Sequence, residues 1–123
     1  MATITPTIVN LQSYGNTGVH TYSFTPMTHT GSDAGAPIEM PGSADRSVQV
    51  FGTFGTGGNL RIEGSMDGNT WATLTDPQGN ALDFTTAKIE TIMEITRYIR
   101  PRITAGDGST SLTCIILIRR PVQ

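Results

Sequence analysis

Apolar residues recur at alternate positions in several short stretches of the chain. Within Arg46–Met66, Val48, Val50 and Phe54 share one side, and Leu60, Ile62 and Met66 share a side after Gly55-Thr56-Gly57-Gly58. A period of two sends successive side chains to opposite faces of a strand, so this segment predicts two strands joined as a hairpin by a glycine-rich turn. Val19–Phe24 predicts another short strand, with Tyr22 and Phe24 one strand period apart. Residues 3–12 also read as extended, and Pro6 confines them to an edge strand or an arm reaching toward a neighbouring subunit.

Further along, Ser65-Met66-Asp67-Gly68-Asn69-Thr70-Trp71 reads as strand end, Asp-Gly turn and strand start. Trp71 is expected to return to the core beside Leu74, where a change to alanine would cost about 3–5 kcal/mol. Asp76-Pro77-Gln78-Gly79-Asn80 predicts a turn before Ala81-Leu82-Asp83-Phe84. In Lys88–Ile95, Ile89, Thr91, Met93 and Ile95 alternate with Glu90 and Glu94, which favours a strand over the helix that Ile89, Ile92 and Met93 also satisfy; Ile92 breaks the alternation.

Near the C-terminus, Tyr98–Thr104 and Ser111–Arg119 flank Ala105-Gly106-Asp107-Gly108-Ser109 as partner strands. Ile99 and Ile103 point one way, and Tyr98, Arg100 and Arg102 the other. Leu112, Cys114, Ile116 and Ile118 form one row, and Ile115 and Leu117 a second. A strand apolar on both sides is central in its sheet or covered by another chain. Residues 25–46, with Pro26, Pro37, Pro41, Gly31, Gly35 and Gly42, predict one long loop. About eight short strands with frequent turns define the expected architecture: an all-β, antiparallel β-sandwich of jelly-roll-like character, one domain over residues 1–123.

Composition points the same way. Threonine is the commonest residue, glycine follows with 14, and Lys88 is the only lysine, so β-branched side chains and turns outweigh helix formers. A chain of 123 residues can bury a two-layer core without staples. Cys114 is the only cysteine, which excludes an internal disulfide and a thiolate metal cluster. No stretch reaches the roughly 18 apolar residues of a membrane helix, and Met1-Ala2-Thr3-Ile4 opens no basic-then-apolar leader, so the chain is expected to be soluble, made in the cytoplasm and without a membrane partner.

The net charge of −2 is unevenly distributed. Residues 97–123 carry Arg97, Arg100, Arg102, Arg119 and Arg120 against Asp107 alone. Tyr98, Arg100, Arg102, Arg119 and Arg120 therefore form the candidate interaction surface, suited to an acidic partner, although a solvated arginine-bearing sheet face accounts for the same residues. Tyr98 beside Arg100 and Arg102 could stack on bases, but an acidic chain with few aromatics argues against nucleic acid. Pairing of these arginines with Glu90 or Glu94 across the sheet is the structural alternative.

Reaction chemistry is thinly represented. His20 and His29, the only histidines, belong to no nucleophile or metal pattern. Gly52, Gly55, Gly57 and Gly58 precede strand-like Leu60-Arg61-Ile62 and not the helix that a phosphate loop must open. Asp67-Gly68-Asn69 and the set Asp76, Asn80 and Asp83 offer oxygens for Ca²⁺, yet their spacing matches no calcium loop and suits tight turns. Cys114, in register with Leu112 and Ile116, reads as a buried inert thiol. The expectation is a protein that is not an enzyme and holds no cofactor or metal.

Two segments resemble known families. Ser65-Met66-Asp67-Gly68-Asn69-Thr70-Trp71 resembles the Ser-x-Asp-Gly-x-x-Trp hairpin of several β-sandwich families, including discoidin-like carbohydrate binders and phage virion proteins. The sialidase Asp-box has one more residue between Asp and Gly. Arg97-Tyr98-Ile99-Arg100-Pro101-Arg102-Ile103-Thr104, with Thr110-Ser111-Leu112-Thr113, is similar to a Tyr-Ile-Arg-x-x-Ile-Thr hairpin of small structural proteins of tailed bacteriophages. Pro101 departs from the β-former usual there and questions whether this strand is internal.

The resemblance implies a virion component, a capsid decoration or cement protein sitting as a homotrimer on the head and bridging major capsid subunits. The second reading is a carbohydrate- or receptor-binding module of a phage tail or baseplate, for which an exposed Trp71 would be the stacking residue. The N-terminal segment, residues 25–46 and Tyr98, Arg100 and Arg102 are the expected contact surfaces.

Overall fold

The computed structural model describes residues 2–11, 18–39 and 45–119. Met1, Gln12, Pro41, Gly42 and Arg120, which belong to the expectations above, lie outside them. Twelve strands are present among the described residues: Thr3–Ile4 (β1), Thr7–Asn10 (β2), Val19–Thr28 (β3), Ala34–Gly35 (β4), Ile38–Glu39 (β5), Asp45–Thr53 (β6), Asn59–Ser65 (β7), Ala72–Thr73 (β8), Asp83–Phe84 (β9), Lys88–Thr91 (β10), Tyr98–Ala105 (β11) and Ser111–Arg119 (β12). They form two sheets of a β-sandwich. One has five strands in the order β10-β6-β12-β3-β2; the other has seven, ordered β1-β4-β11-β7-β8, with β5 on β11 and β9 on β7. Every pairing is antiparallel except β1 with β4.

Alternation decides what each layer buries. Phe24, Met27, Val48, Val50, Leu112, Cys114, Ile116 and Ile118 point inward from the five-stranded sheet, and meet Ile38, Leu60, Ile62, Phe84, Ile99 and Ile103 from the other. The strand apolar on both faces, β12, is central between β6 and β3, as one of the two expected arrangements requires.

Among these strands, only β2–β3 and β7–β8 are hydrogen-bonded neighbours that are also consecutive in sequence. The predicted Arg46–Met66 hairpin is therefore replaced by a crossing between layers: β6 pairs with β10 and β12, and β7 with β8, β9 and β11. The same correction applies to β11 and β12. Glycines at 55 and 57 do adopt positive φ in a turn. They bend the chain from one sheet to the other, and the pairing partner is set by the buried rows.

Residues 25–46 are also not a single loop. β3 continues to Thr28, and β4 and β5 dock on β11. Asp33 anchors this stretch: its carboxylate accepts the Thr28 N–H at 2.9 Å. Gly35 is buried, and glycine is required there: a Cβ would lie 2.6 Å from Pro101 Cδ and 2.7 Å from the Phe24 ring. Pro101 itself sits inside an internal strand, between the contacts β11 makes with β5 at Ile99 and with β4 at Arg102. On that side no ladder partner is assigned to it, so the missing N–H is tolerated.

The N-terminal segment lies along edges. β1 joins the seven-stranded sheet and β2 the five-stranded one, with Pro6 between them at the change of layer.

The row expected in Lys88–Ile95 is inverted. Ile92 is buried, while Ile89, Met93 and Ile95 are 59–65% exposed. β10 is an edge strand whose register sets Ile89 opposite outward-facing Gln49, and the ladder ends at Thr91. Met66 likewise escapes the Leu60–Ile62 row: β7 ends at Ser65, and Met66 stands in the turn, 65% exposed.

Candidate interaction surfaces

The outer face of the seven-stranded sheet is built from β11 and β7, whose register sets Tyr98 opposite Ser65, Arg100 opposite Glu63 and Arg102 opposite Arg61. Ile99, Pro101 and Ile103 are buried, and Tyr98, Arg100 and Arg102 face outward, as their spacing predicted. Arg100 Nε donates to Glu63 Oε1 at 3.0 Å. Arg102 Nη1 lies 3.8 Å from the other oxygen of the same carboxylate, and its Nε is buried without a hydrogen-bond partner. Arg61 Nε donates to Asp83 at 3.2 Å. Three guanidinium groups thus share two carboxylates on this face. The partner of Arg100 and Arg102 is Glu63, not Glu90 or Glu94: Glu90 belongs to the opposite sheet, and Glu94 accepts hydrogen bonds from Thr75.

Trp71 does not return to the core. It is half-buried, with the Arg100 guanidinium over its ring at 4.0 Å from the centroid, because β8 begins only at Ala72 and Leu74 takes the inward place. The loss expected for Trp71→Ala falls to about 1–2 kcal/mol, from partial burial and the cation–π contact, and urea unfolding of the variant measures it. One ring face is already covered by arginine, which removes half of the stacking surface a sugar would use.

The C-terminal arginines do not form one patch. Arg97 donates to Glu39 at 2.9 Å, and that bond, with one from Tyr98, holds the Glu39 carboxyl below its ordinary range. Arg119 lies on the opposite sheet, where its Nε donates to Asp45 at 2.8 Å. The candidate surface is therefore divided: Tyr98, Arg100 and Arg102 on one face, Arg119 on the other, and Arg120 outside the described residues.

The outer face of the five-stranded sheet differs in kind. Its register lays out two rows across all five strands: Ile89, Gln49, Ile115, Ser23 and Thr7, then Thr91, Ser47, Leu117, Thr21 and Val9. Phe51 opposite Thr113 continues the face, and Thr113 shares a 2.8 Å hydroxyl contact with Thr25. None of these residues is charged, and the Arg119–Asp45 pair stands at one end. Ile89, Phe51 and Val9 are exposed. Of this face the sequence reading marked only Ile115 and Leu117, the second apolar row of β12. The signal of the face lies in the residues between the core positions, where Ser47, Gln49, Thr21, Ser23 and Thr113 replace the charged side chains usual on a solvated sheet face.

The remaining polar groups serve turns. Asp67 accepts the Thr70 and Asn69 N–H groups and the Ser65 hydroxyl, and Asp76 those of Asn80 and Gln78. Asp107 accepts the Ser109 hydroxyl and N–H and the Thr56 N–H, linking two crossings between the sheets. Bonds to the charged form hold Asp67 and Asp107 well below the ordinary aspartate range. Protons therefore bind the unfolded chain more readily. This contribution to stability is complete above the unfolded aspartate value of about 3.9 and is lost progressively as pH falls below it toward the lower folded values. Thermal unfolding should show Asp107→Asn less stable at neutral pH, with a shallower decline in acid.

His20 lies near the start of β3 and His29 just beyond its end, so the strand separates the two imidazoles. Burial raises the Cys114 thiol far above its ordinary value. A polar cleft of about 270 Å³ is lined by Asp76, Asn80, Asp83, Lys88 and Glu90, among others. The described residues hold no group of three or more His, Cys, Asp or Glu side chains placed to bind a metal, and no helix long and apolar enough to cross a membrane.

Fold and surfaces together define an all-β sandwich with two broad, chemically unlike faces. No protein-family model, curated protein or solved structure matches the chain.

Proposed function

We propose that this protein is a non-enzymatic structural component of a bacteriophage virion, a capsid decoration protein that stabilises the head by bridging capsid subunits. The observation that carries the reading is the opposition of its faces. A thin sandwich with an arginine-rich, Trp-capped face on one side and an uncharged face on the other can hold a capsid subunit through the first while the second joins a further neighbour, which bridging requires. Tyr98, Arg100 and Arg102 supply the polar contact to an acidic stretch of the major capsid protein. A protein that binds only the assembled shell stabilises that shell by mass action.

Cosedimentation with capsids from the genome that encodes the chain tests this. Saturable attachment and a higher rupture temperature are expected, with attachment weakened by Arg100→Glu. Absence of attachment, together with glycan binding that depends on Trp71, would favour the receptor-binding module instead.

A further inference from the structure

We propose that the uncharged face of the five-stranded sheet is buried between two copies of this chain, packed face to face about a two-fold axis. The inference rests on the reading of the molecule as one that works through its faces, and it assigns one of those faces to a copy of itself.

Three properties of the face select a second copy as its occupant. The first is charge. A two-fold contact lays one patch against itself, so residues near the axis meet their own equivalents and like charges there would oppose each other; the two rows across the sheet contain none. A partner recognised by charge would find nothing to read there.

The second property is hydrogen bonding. Every polar side chain in the rows is a serine or threonine hydroxyl or the Gln49 amide, and each of these can both donate and accept. Such a surface is its own complement. On the opposite face the carboxylates only accept and the guanidiniums only donate, so contact with a copy would need each charge to meet its opposite.

The third is size. Five strands at about 4.8 Å spacing, over about six residues at about 3.3 Å rise, give roughly 500 Å² in flat projection. Side chains standing above that plane bring the accessible area toward the roughly 800 Å² per partner that stable interfaces use. Ile115 and Leu117 form the centre on β12, Phe51 and Ile89 supply exposed apolar area toward one edge, and Val9 does so at the other. Packing sheet on sheet would cover all five.

Sedimentation equilibrium of the full chain without capsids tests the contact independently of capsid attachment. The expected mass is twice the 13.1 kDa of the chain. Leu117→Lys sets two cations near the axis and should weaken association roughly tenfold or more. Because Leu117 is half-buried, Ile89→Lys, at a position 65% exposed, provides a second variant that retains the fold, checked by circular dichroism. Gln78→Lys, in a distant turn, should leave the mass unchanged. Dissociation by either folded face variant supports the proposal. A monomer at every concentration, a trimer, or a dimer that survives both face variants overturns it. Loss of capsid attachment with the dimer intact would count against the decoration role alone.

Discussion

Replacing Phe24 by alanine should lower the unfolding free energy by about 3–5 kcal/mol, with the midpoint shifted and the urea dependence little changed. Phe24 is fully buried on β3, opposite Cys114 of β12, and its ring reaches the other layer beside Gly35. The fit there is close, since even a methyl group on Gly35 would collide with that ring and with Pro101. At Gly35 the surroundings are strand backbone and the Pro101 ring, neither of which can fold into the space an alanine would leave. The cavity term should therefore add fully to the lost transfer energy. A loss under about 1 kcal/mol, the ordinary cost of a surface change, would mean that the two layers do not meet at this ring.

The same ring shows what the sequence discloses. Ile99 and Ile103 were legible as one row and Tyr98, Arg100 and Arg102 as the other, Leu112, Cys114, Ile116 and Ile118 as a row of their own, and Phe24 as one strand period from Tyr22, because alternation is a property of a single strand. Which strand lies beside which is not local. Gly55 to Gly58 and Gly106 to Gly108 announce bends equally well whether the chain returns in the same sheet or passes to the facing one. The resulting sandwich puts most neighbours far apart in sequence, so Glu63 could not be recognised as the partner of Arg100, 37 residues later. Lys88–Ile95 fails for a related reason. Alternation identifies two rows, but what covers each row decides which is buried, and at an edge strand with no layer above it the isoleucine row faces out. The arginine surplus near the C-terminus was readable as composition and misleading as a patch, since β11 and β12 belong to different sheets.

Arg46→Met should cost about 2–3 kcal/mol and should loosen residues 92–96 more than the rest of the molecule. Arg46 is 2% exposed on β6, and burial lowers the pKa of its guanidinium from the ordinary value. It donates through Nη1 to the Glu94 carbonyl at 2.8 Å and through Nη2 to the Thr96 carbonyl at 3.1 Å. No carboxylate pairs with it among the described residues. Two effects oppose each other in the variant. Removing a buried charge relieves desolvation, but it leaves two carbonyl oxygens without these donors in a stretch that has no ladder of its own. The second effect should prevail, because methionine fills the channel of the arginine stem and offers no hydrogen to either oxygen. Hydrogen exchange at the Ile92 and Met93 amides, which donate to Arg46 and Thr75, reports the local opening. Unchanged protection there, with unchanged global stability, would show that the charge costs as much to bury as its bonds return. This stretch also joins Ile89 on the uncharged face to Tyr98 and Arg100 on the charged one, so a variant that frees it should weaken the contacts proposed for both.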